Sequence, residues 1–309
     1  MEKFSKWRDK GTGIAPFLPH PSSTFTPSTV GATPSPVRRL GVVILATISA
    51  IIKIPFVLLF GLLHFALLQH VPSISVRKTS LRLLLWSLGV WSINASVEGA
   101  RKGYSRKTKQ EPTSGDVIVS NFVSPLDALV YSTFYDSLIV IPSADGHARE
   151  VTLLGSIFAA ISLPTVGSFG SESSIEKLLS KAKSSGKVLL AFVEATPTNG
   201  RAILPPALLS LDVNLGKSNV FPSLIRYSPQ DITTPIPPSS IVVYVGRIIS
   251  RFKGWSVRVR VAEPVASSDN QQIDNAINEI CRIGRIKRVG EELAAKNKID
   301  FVKAWRKSR

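Results

Sequence analysis

Cysteine is all but missing from this chain: Cys281 is the only one in 309 residues. An intramolecular disulfide is thereby excluded, and one thiol argues against a thiolate zinc site. On a helical stretch such a residue reads as a small buried hydrophobe rather than a nucleophile. Acidic residues are scarce as well, 21 Asp plus Glu against 38 Lys plus Arg, for a formal net charge of +17. That imbalance selects anionic partners: nucleic acid, acidic lipid headgroups or the phosphates of a coenzyme. Zinc-ligand spacing, an RNP-like aromatic run and a basic-region heptad are all absent, so nucleic acid is not the expected partner. Flavin and nucleoside-triphosphate motifs are absent too, so neither a tightly bound cofactor nor a metal is expected. There are no internal repeats.

What is present in excess is apolar sequence, 44% of the chain. Residues 1–37 are polar and then rich in Pro, Ser and Thr, which reads as a flexible arm. No apolar core follows the basic start closely enough for a secretory signal peptide. Leu40–Leu68 then runs almost without charge, Lys53 excepted, and is long enough to cross a bilayer, which takes about 20 apolar residues. A proline and a charge mid-segment, Pro55 and Lys53, each carry a cost. Two half-helices entering and leaving one leaflet would relieve it, so residues 38–70 are a membrane segment read equally as hairpin or span. Arg38 and Arg39 before it, and Arg77, Lys78 and Arg82 after it, suit two cytosolic ends.

Residues 71–112 follow as an amphipathic stretch, Leu81–Ala95 with Trp86 and Trp91, and a basic linker at 101–109. The stretch reads equally as an interfacial helix or as a core helix. From 113 to 268 short β-rich runs alternate with helical spacing: DVIVS, SLIVIP, KVLLAFV, Asn219–Ile225, Ile241–Val245 and VRVRV as strands, with 172–185 helical. The expected fold is an α/β domain, a mixed sheet flanked by helices. Residues 269–309 form a basic helical tail.

Two segments each follow a predicted strand: Asn121-Phe-Val-Ser-Pro-Leu-Asp127 and Phe192-Val-Glu-Ala-Thr-Pro-Thr-Asn-Gly-Arg201. Ligands in open α/β sheets gather at the carboxyl ends of strands. Asp127 and Glu194 would bring two carboxyl groups to one crevice. Read as local structure alone, Asn121 and Ser124 are ordinary caps, Asp127 suits a first helical turn, and the second block is a turn.

These blocks resemble the lysophospholipid acyltransferase family, with its Asn-His-x4-Asp motif after one strand and a Phe-Pro-Glu-Gly-Thr-like motif after another. Asn121 and Asp127 match the outer residues of the first; Phe192, Glu194 and Thr196 match the second. Asn199-Gly200-Arg201, Val220-Phe221-Pro222 and the strand ending at Glu263-Pro264 resemble later blocks. The opening KWRDKGTGIAPFLP, together with NFVSPLDA, resembles fungal members of the endoplasmic reticulum and lipid droplets. The resemblance implies an acyltransferase-type fold with a membrane-embedded N-terminal helix or hairpin, and acyl transfer from acyl-CoA to lysophosphatidic acid, giving phosphatidic acid. Acyl-CoA is then a co-substrate, and membrane lipids are partners. It implies a catalytic part for Asp127 and Asn121, and substrate contacts for Glu194, Thr196, Arg201 and Ser124. It also implies a catalytic domain facing the cytosol.

The chain departs from the family at Phe122, which stands where the histidine base should be; a phenyl ring accepts no proton. Three accounts follow: another base such as His147, Asp127 acting with a water, or a lipid- or acyl-CoA-binding pseudoenzyme. The family's substrate-phosphate arginine is also missing between the motifs. Arg201, or backbone N–H groups near Gly167 and Gly170, would take its place.

Overall fold

The computed structural model describes residues 2–20, 36–97, 111–143, 147–164, 171–206, 218–265 and 272–308. Its helices are α1 (Pro36–Leu62), α2 (Ile74–Ser87), α3 (Asp127–Ser132), α4 (Leu153–Ile161), α5 (Ile175–Ser184), α6 (Ile241–Ile249), α7 (Gln272–Gly284) and α8 (Asn297–Lys307). Its strands are β1 (Val90–Val97), β2 (Val117–Ser120), β3 (Ser137–Pro142), β4 (Ala148–Val151), β5 (Ser171–Ser173), β6 (Val188–Phe192), β7 (Ala202–Ile203), β8 (Val220–Ser228), β9 (Trp255–Val261) and β10 (Lys287–Arg288).

Eight strands form one mixed sheet in the order β1-β9-β8-β2-β6-β3-β4-β5. The central β8-β2-β6-β3 block is parallel. Such strands are buried on both faces, which is why DVIVS, SLIVIP and KVLLAFV are nearly unbroken apolar runs. Alternate residues still choose sides. Ile118 and Leu190 face a cluster built with α2, α3, α4 and α6. Val117, Val119, Leu189 and Ala191 face α5 and α7. Because β2 and β6 run in parallel register, Ser120 beside Phe192, the two motif blocks leave the sheet side by side.

Several elements differ from the sequence expectation. Ile241–Val245 is helix, not strand. Ser240 caps it by accepting from Val243 N at 3.2 Å, and Tyr244 and Ile248 are buried while Val242 and Val243 are exposed. Two periods compete in a short β-branched run, and the cap decides between them. Leu81–Ala95 is not one helix: α2 ends at Ser87, Gly89 turns the chain at φ +98°, and β1 pairs in parallel with β9. Leu81, Leu84 and Leu85 face the core, whereas Trp86 and Trp91 are exposed.

Gly254 is the counterpart of this turn. A Cβ there would lie 2.5 Å from Gly89 O and 2.6 Å from the Trp91 ring. Gly254→Ala is expected to cost about 1–3 kcal/mol through overpacking, read as a lower urea midpoint with the slope unchanged.

α1 runs unbroken through Lys53 and Pro55 and continues as a π turn over Leu63–Leu67 and a 3-10 turn to His70. The apolar stretch Leu40–His70 has 31 residues, about 46 Å of helix, long and apolar enough to cross a membrane. No turn at Pro55 divides it into a hairpin. Lys53 escapes the cost of a lone charge by leaving the helix sideways, donating to Arg251 O at 2.6 Å just beyond α6. Ser49 Oγ, one turn earlier, donates to Ile249 O at 2.9 Å. Ala50, Val57, Phe60 and Phe65 continue this stripe against the core. The outer flank, including Ile51, Ile52, Leu58, Leu59 and Leu62, is exposed.

Residues 2–20 are not an extended arm. Phe17 is fully buried with Leu204, Phe301 and Val302, and Phe4 and Trp7 pack on the same cluster. Asp9 ties the segment to the C-terminal region by accepting from Gly290 N at 3.0 Å. Each fully buried phenylalanine contributes about 1.5–3 kcal/mol, so the beginning and end of the chain hold one another.

Candidate active site

Asp127 opens α3 and is wholly buried. Its Oδ2 accepts from Val123 N at 2.7 Å and Ser124 N at 2.9 Å, and its Oδ1 accepts from Tyr227 OH at 2.7 Å. The loop N-terminal to Asp127 therefore wraps its own amides around the carboxyl group. Burial drives the pKa of Asp127 up to about 7, against the pull of Val123 N–H, Tyr227 OH and Ser124 N–H. A carboxyl group in that range changes protonation near neutrality, as a general base must.

Asp127 is not alone. Ser124 Oγ lies 3.0 Å from Tyr244 OH, which also donates to Ile232 O at 3.4 Å. Burial raises both Tyr227 and Tyr244 above the ordinary phenol range. Tyr244 lines a largely apolar cavity of about 240 Å3 between α1 and α6, together with Val42, Val43, Ile248 and Trp255, and with Asp231, Arg247 and Arg251 as its charged members. The hydroxyl groups of Ser124, Tyr227 and Tyr244 thus connect the buried carboxyl group with an apolar chamber under the membrane-type helix. None of the three tyrosine and serine contacts follows from motif spacing. Tyr227 and Tyr244 were hidden because one lies two residues beyond the predicted strand Asn219–Ile225, on the extension that β8 makes to Ser228, and the other in a run expected as strand.

Glu194 joins the two motif loops. Its Oε2 accepts from Phe122 N at 2.9 Å, 72 residues away, and its Oε1 accepts from Leu204 N at 3.0 Å. Burial raises it to about 8, opposed by the amides of Leu204 and Phe122, the Thr198 hydroxyl and the charge of Lys298. Lys298, on α8, is fully buried and pushed down to about 7 by burial, with Glu194 acting in the other direction. Its Nζ donates to Thr196 Oγ1 at 2.8 Å, Pro197 O at 2.6 Å and Thr234 O at 3.4 Å. Three acceptors match three ammonium protons, and two amides match two carboxylate oxygens, so the surroundings fit the ionised forms. Lys298 was legible in one respect: it shares a helix face with Phe301 and Val302 by i, i+3, i+4 spacing.

Asn121 serves as a backbone clamp. Its Oδ1 accepts from Ile225 N at 2.8 Å and its Nδ2 donates to Ile225 O at 3.1 Å. Its amide therefore holds β8 against the first loop rather than facing a cavity. Phe122 is 1% exposed and stacks on Phe192 with centroids 4.6 Å apart. Thr196 is buried and engaged by Lys298.

Arg201 is exposed at the end of the second loop, and its Nη2 sits 3.3 Å from His20 Nδ1. His20 Nε2 lies 2.8 Å from Asn199 O, a carbonyl, so Nε2 carries the proton and Nδ1 the lone pair. Burial and the nearby Arg201 lower its pKa, although the Asn199 carbonyl opposes them. His20 is thus the histidine at the motif loops. Sequence reading assigned it to the arm, with no pattern to reveal that Asn199 captures residues 15–18 through its side chain. His147, exposed ahead of β4, lies on the far edge of the sheet. Gly167 and Gly170, and the basic run at 101–109, fall outside the described residues.

Together these features define the class: an α/β protein with a mixed sheet that carries both motif blocks at adjacent strand ends and an apolar N-terminal helix along one face. Over nearly its whole length the chain is similar to two curated fungal proteins. It is 28% identical to the Schizosaccharomyces pombe "Putative lysophosphatidic acid:oleoyl-CoA acyltransferase", covering 98% of each chain. It is 26% identical to the Saccharomyces cerevisiae "Lysophosphatidic acid:oleoyl-CoA acyltransferase 1", covering 99% of this chain and 97% of that one. No protein-family profile matches the chain, and no solved structure does.

Proposed function

We propose that this protein is an acyl-CoA-dependent O-acyltransferase that converts lysophosphatidic acid to phosphatidic acid. In the proposed setting it works at the endoplasmic reticulum membrane and lipid droplets, its α/β domain facing the cytosol. The observation that carries the reading is Asp127: a buried carboxyl group with acidity near neutral, held by the first motif loop and linked by hydroxyl groups to an apolar chamber. The similarity to two full-length relatives that bear the name of this reaction supports the substrate class.

In the proposed reaction the glycerol hydroxyl of the lysolipid attacks the thioester carbonyl. The C–O ester bond forms, the C–S bond breaks, and coenzyme A leaves as thiolate. Asp127 accepts the hydroxyl proton through the Ser124, Tyr227 and Tyr244 hydroxyl groups, and the leaving thiolate takes a proton in return. Asn121 and Glu194 fix the loops, Thr196 and Lys298 hold the second loop in place, and Arg201 meets the substrate phosphate as an exposed guanidinium. Acyl-CoA enters as a co-substrate, with no resident cofactor or metal assigned a role.

One observation favours a second reading, a lipid- or acyl-CoA-binding pseudoenzyme: the position of the family's base is filled by Phe122, sealed into the core. An assay separates the two. The reconstituted protein is offered oleoyl-CoA with lysophosphatidic acid, and release of free thiol is followed. Turnover supports the enzyme, and binding of either substrate without thiol release supports the pseudoenzyme. His20→Gln is expected to leave most turnover in place, well short of the hundredfold or greater loss that removal of a general base brings. A loss of that size would move the base from Asp127 to His20.

A further inference from the structure

A second cavity, about 300 Å3, opens at the opposite end of the sheet, where β3 and β6 begin and α1 hands over to α2. It is remote from both motif loops, which leave the finishing ends of β2 and β6. His64, 1% exposed, lines it. Ser80 Oγ spends its one proton on Arg77 O at 2.8 Å. It must therefore accept at the 2.7 Å contact with His64 Nδ1, which fixes the proton on Nδ1 and leaves a lone pair on Nε2. That Nε2 is buried and has no hydrogen-bond partner. A buried acceptor left unpaired is costly and calls for a donor.

The cavity is also cationic. Arg77 is paired with Asp136 at 2.7 Å and Lys181 with Glu150 at 2.7 Å. Lys78 and Lys187 also line it, and among the described residues neither faces a carboxylate partner; Lys78 donates to the Phe134 carbonyl. Two positive charges therefore stand in excess beside the orphaned imidazole. Water could satisfy Nε2 but would not offset those charges. Ile74, exposed and apolar, lines the cavity at the start of α2, and Leu67 and Val76, close to it along the α1–α2 connection, are exposed apolar side chains too.

We propose that this cavity binds a phosphomonoester headgroup carried by an amphiphile, with its apolar chain lying along the α1–α2 rim. Lys78 and Lys187 meet the phosphate charge. Near neutrality a phosphomonoester still carries a P–OH for part of the time, its second ionisation lying near pH 6. That proton bonds to, or passes to, His64 Nε2 as a charge-assisted hydrogen bond. A phosphodiester has no proton to give, so the site selects monoesters over diesters of equal charge. The ligand's source is a membrane lipid or a free phosphate compound, which the test separates.

The test uses the full chain in phosphatidylcholine nanodiscs, with thermal unfolding as the readout. The additions are phosphatidic acid, phosphatidylserine at the same mole fraction, or inorganic phosphate in the buffer. Phosphatidic acid is expected to raise the midpoint by roughly 5 °C at about a hundred times its dissociation constant. Lys78→Glu/Lys187→Glu should abolish the rise, while Lys303→Glu/Lys307→Glu on α8, an equal change in charge, should keep it. His64→Phe should erase the preference for phosphatidic acid over phosphatidylserine without unfolding the protein. An equal rise with inorganic phosphate alone would identify a free phosphate compound as the occupant of the same site. An equal rise with phosphatidylserine in the parent, or a rise that survives Lys78→Glu/Lys187→Glu, would overturn the proposal, the latter by moving the lipid to the motif end of the sheet.

Discussion

Under the proposed mechanism Asp127→Asn is expected to lower kcat by at least a factor of about a hundred and to leave the KM for lysophosphatidic acid nearly unchanged. The carboxyl group touches no cavity wall directly, so its loss removes proton acceptance rather than substrate contact. In the parent, kcat is then expected to climb with pH through about 7, because burial raises Asp127 to about 7 and only its ionised form accepts a proton. The asparagine variant loses that limb. Stability moves in the opposite sense. The folded carboxyl group is raised by burial to about 7 from its ordinary value of 3.8, so between these limits the folded state holds more protons than the unfolded one. Stability from this group is full below about pH 4 and lost as pH rises through about 7. Asp127→Asn flattens that decline. A pH–rate profile and urea midpoints at matched pH check both, and an unchanged acid limb in the variant would assign the titration elsewhere.

The largest structural effect is expected at Lys298→Met. The ammonium group donates to Thr196 Oγ1, Pro197 O and Thr234 O, and these buried acceptors would be left empty. Glu194 would keep its carboxyl group in the interior with its nearest positive charge gone. Breaking such an arrangement from one side costs about 3–5 kcal/mol, which at roughly 2–4 °C per kcal/mol lowers Tm by about 10 °C. Adding Glu194→Gln should restore part of the loss, since removing both charges is less harmful than removing one. A double-mutant cycle by thermal unfolding measures this; strictly additive losses would show that the two side chains do not sense each other.

Much of the sheet was legible because buried parallel strands need no alternation: DVIVS, SLIVIP and KVLLAFV are apolar but for residues at their ends, and are bounded by turns. Strands β1 and β4 were not legible, for different reasons. Val90–Val97 carries Ser92, Asn94 and Ser96 on an edge, where no apolar pattern is required. Ala148–Val151 holds a charged pair, Arg149 and Glu150, whose role depends on neighbours distant in sequence. The motif blocks marked two loops that fold side by side, since their spacing and strand context survive even where Phe122, Val193 and Ala195 differ from the pattern they resemble. Their chemistry was less visible. Asn121 proves to be a clamp on Ile225 and Glu194 a bridge between loops, roles set by strand adjacency rather than by residue type. His20, Tyr227, Tyr244 and Lys298 came from four segments that only folding brings together.

The docking of residues 2–20 has a topological consequence. Phe17 is anchored beside Phe301, and Asn199 holds residues 15–18 by their carbonyls, so the chain is already fastened to the α/β body before α1 begins. After His70 it re-enters that same body through α2, and midway Lys53 and Ser49 are fastened to the end of α6. The apolar helix is therefore like a handle riveted at both ends and at the middle. Such a helix cannot swing away from the α/β body without giving up the contacts of Lys53 and Ser49 with the end of α6.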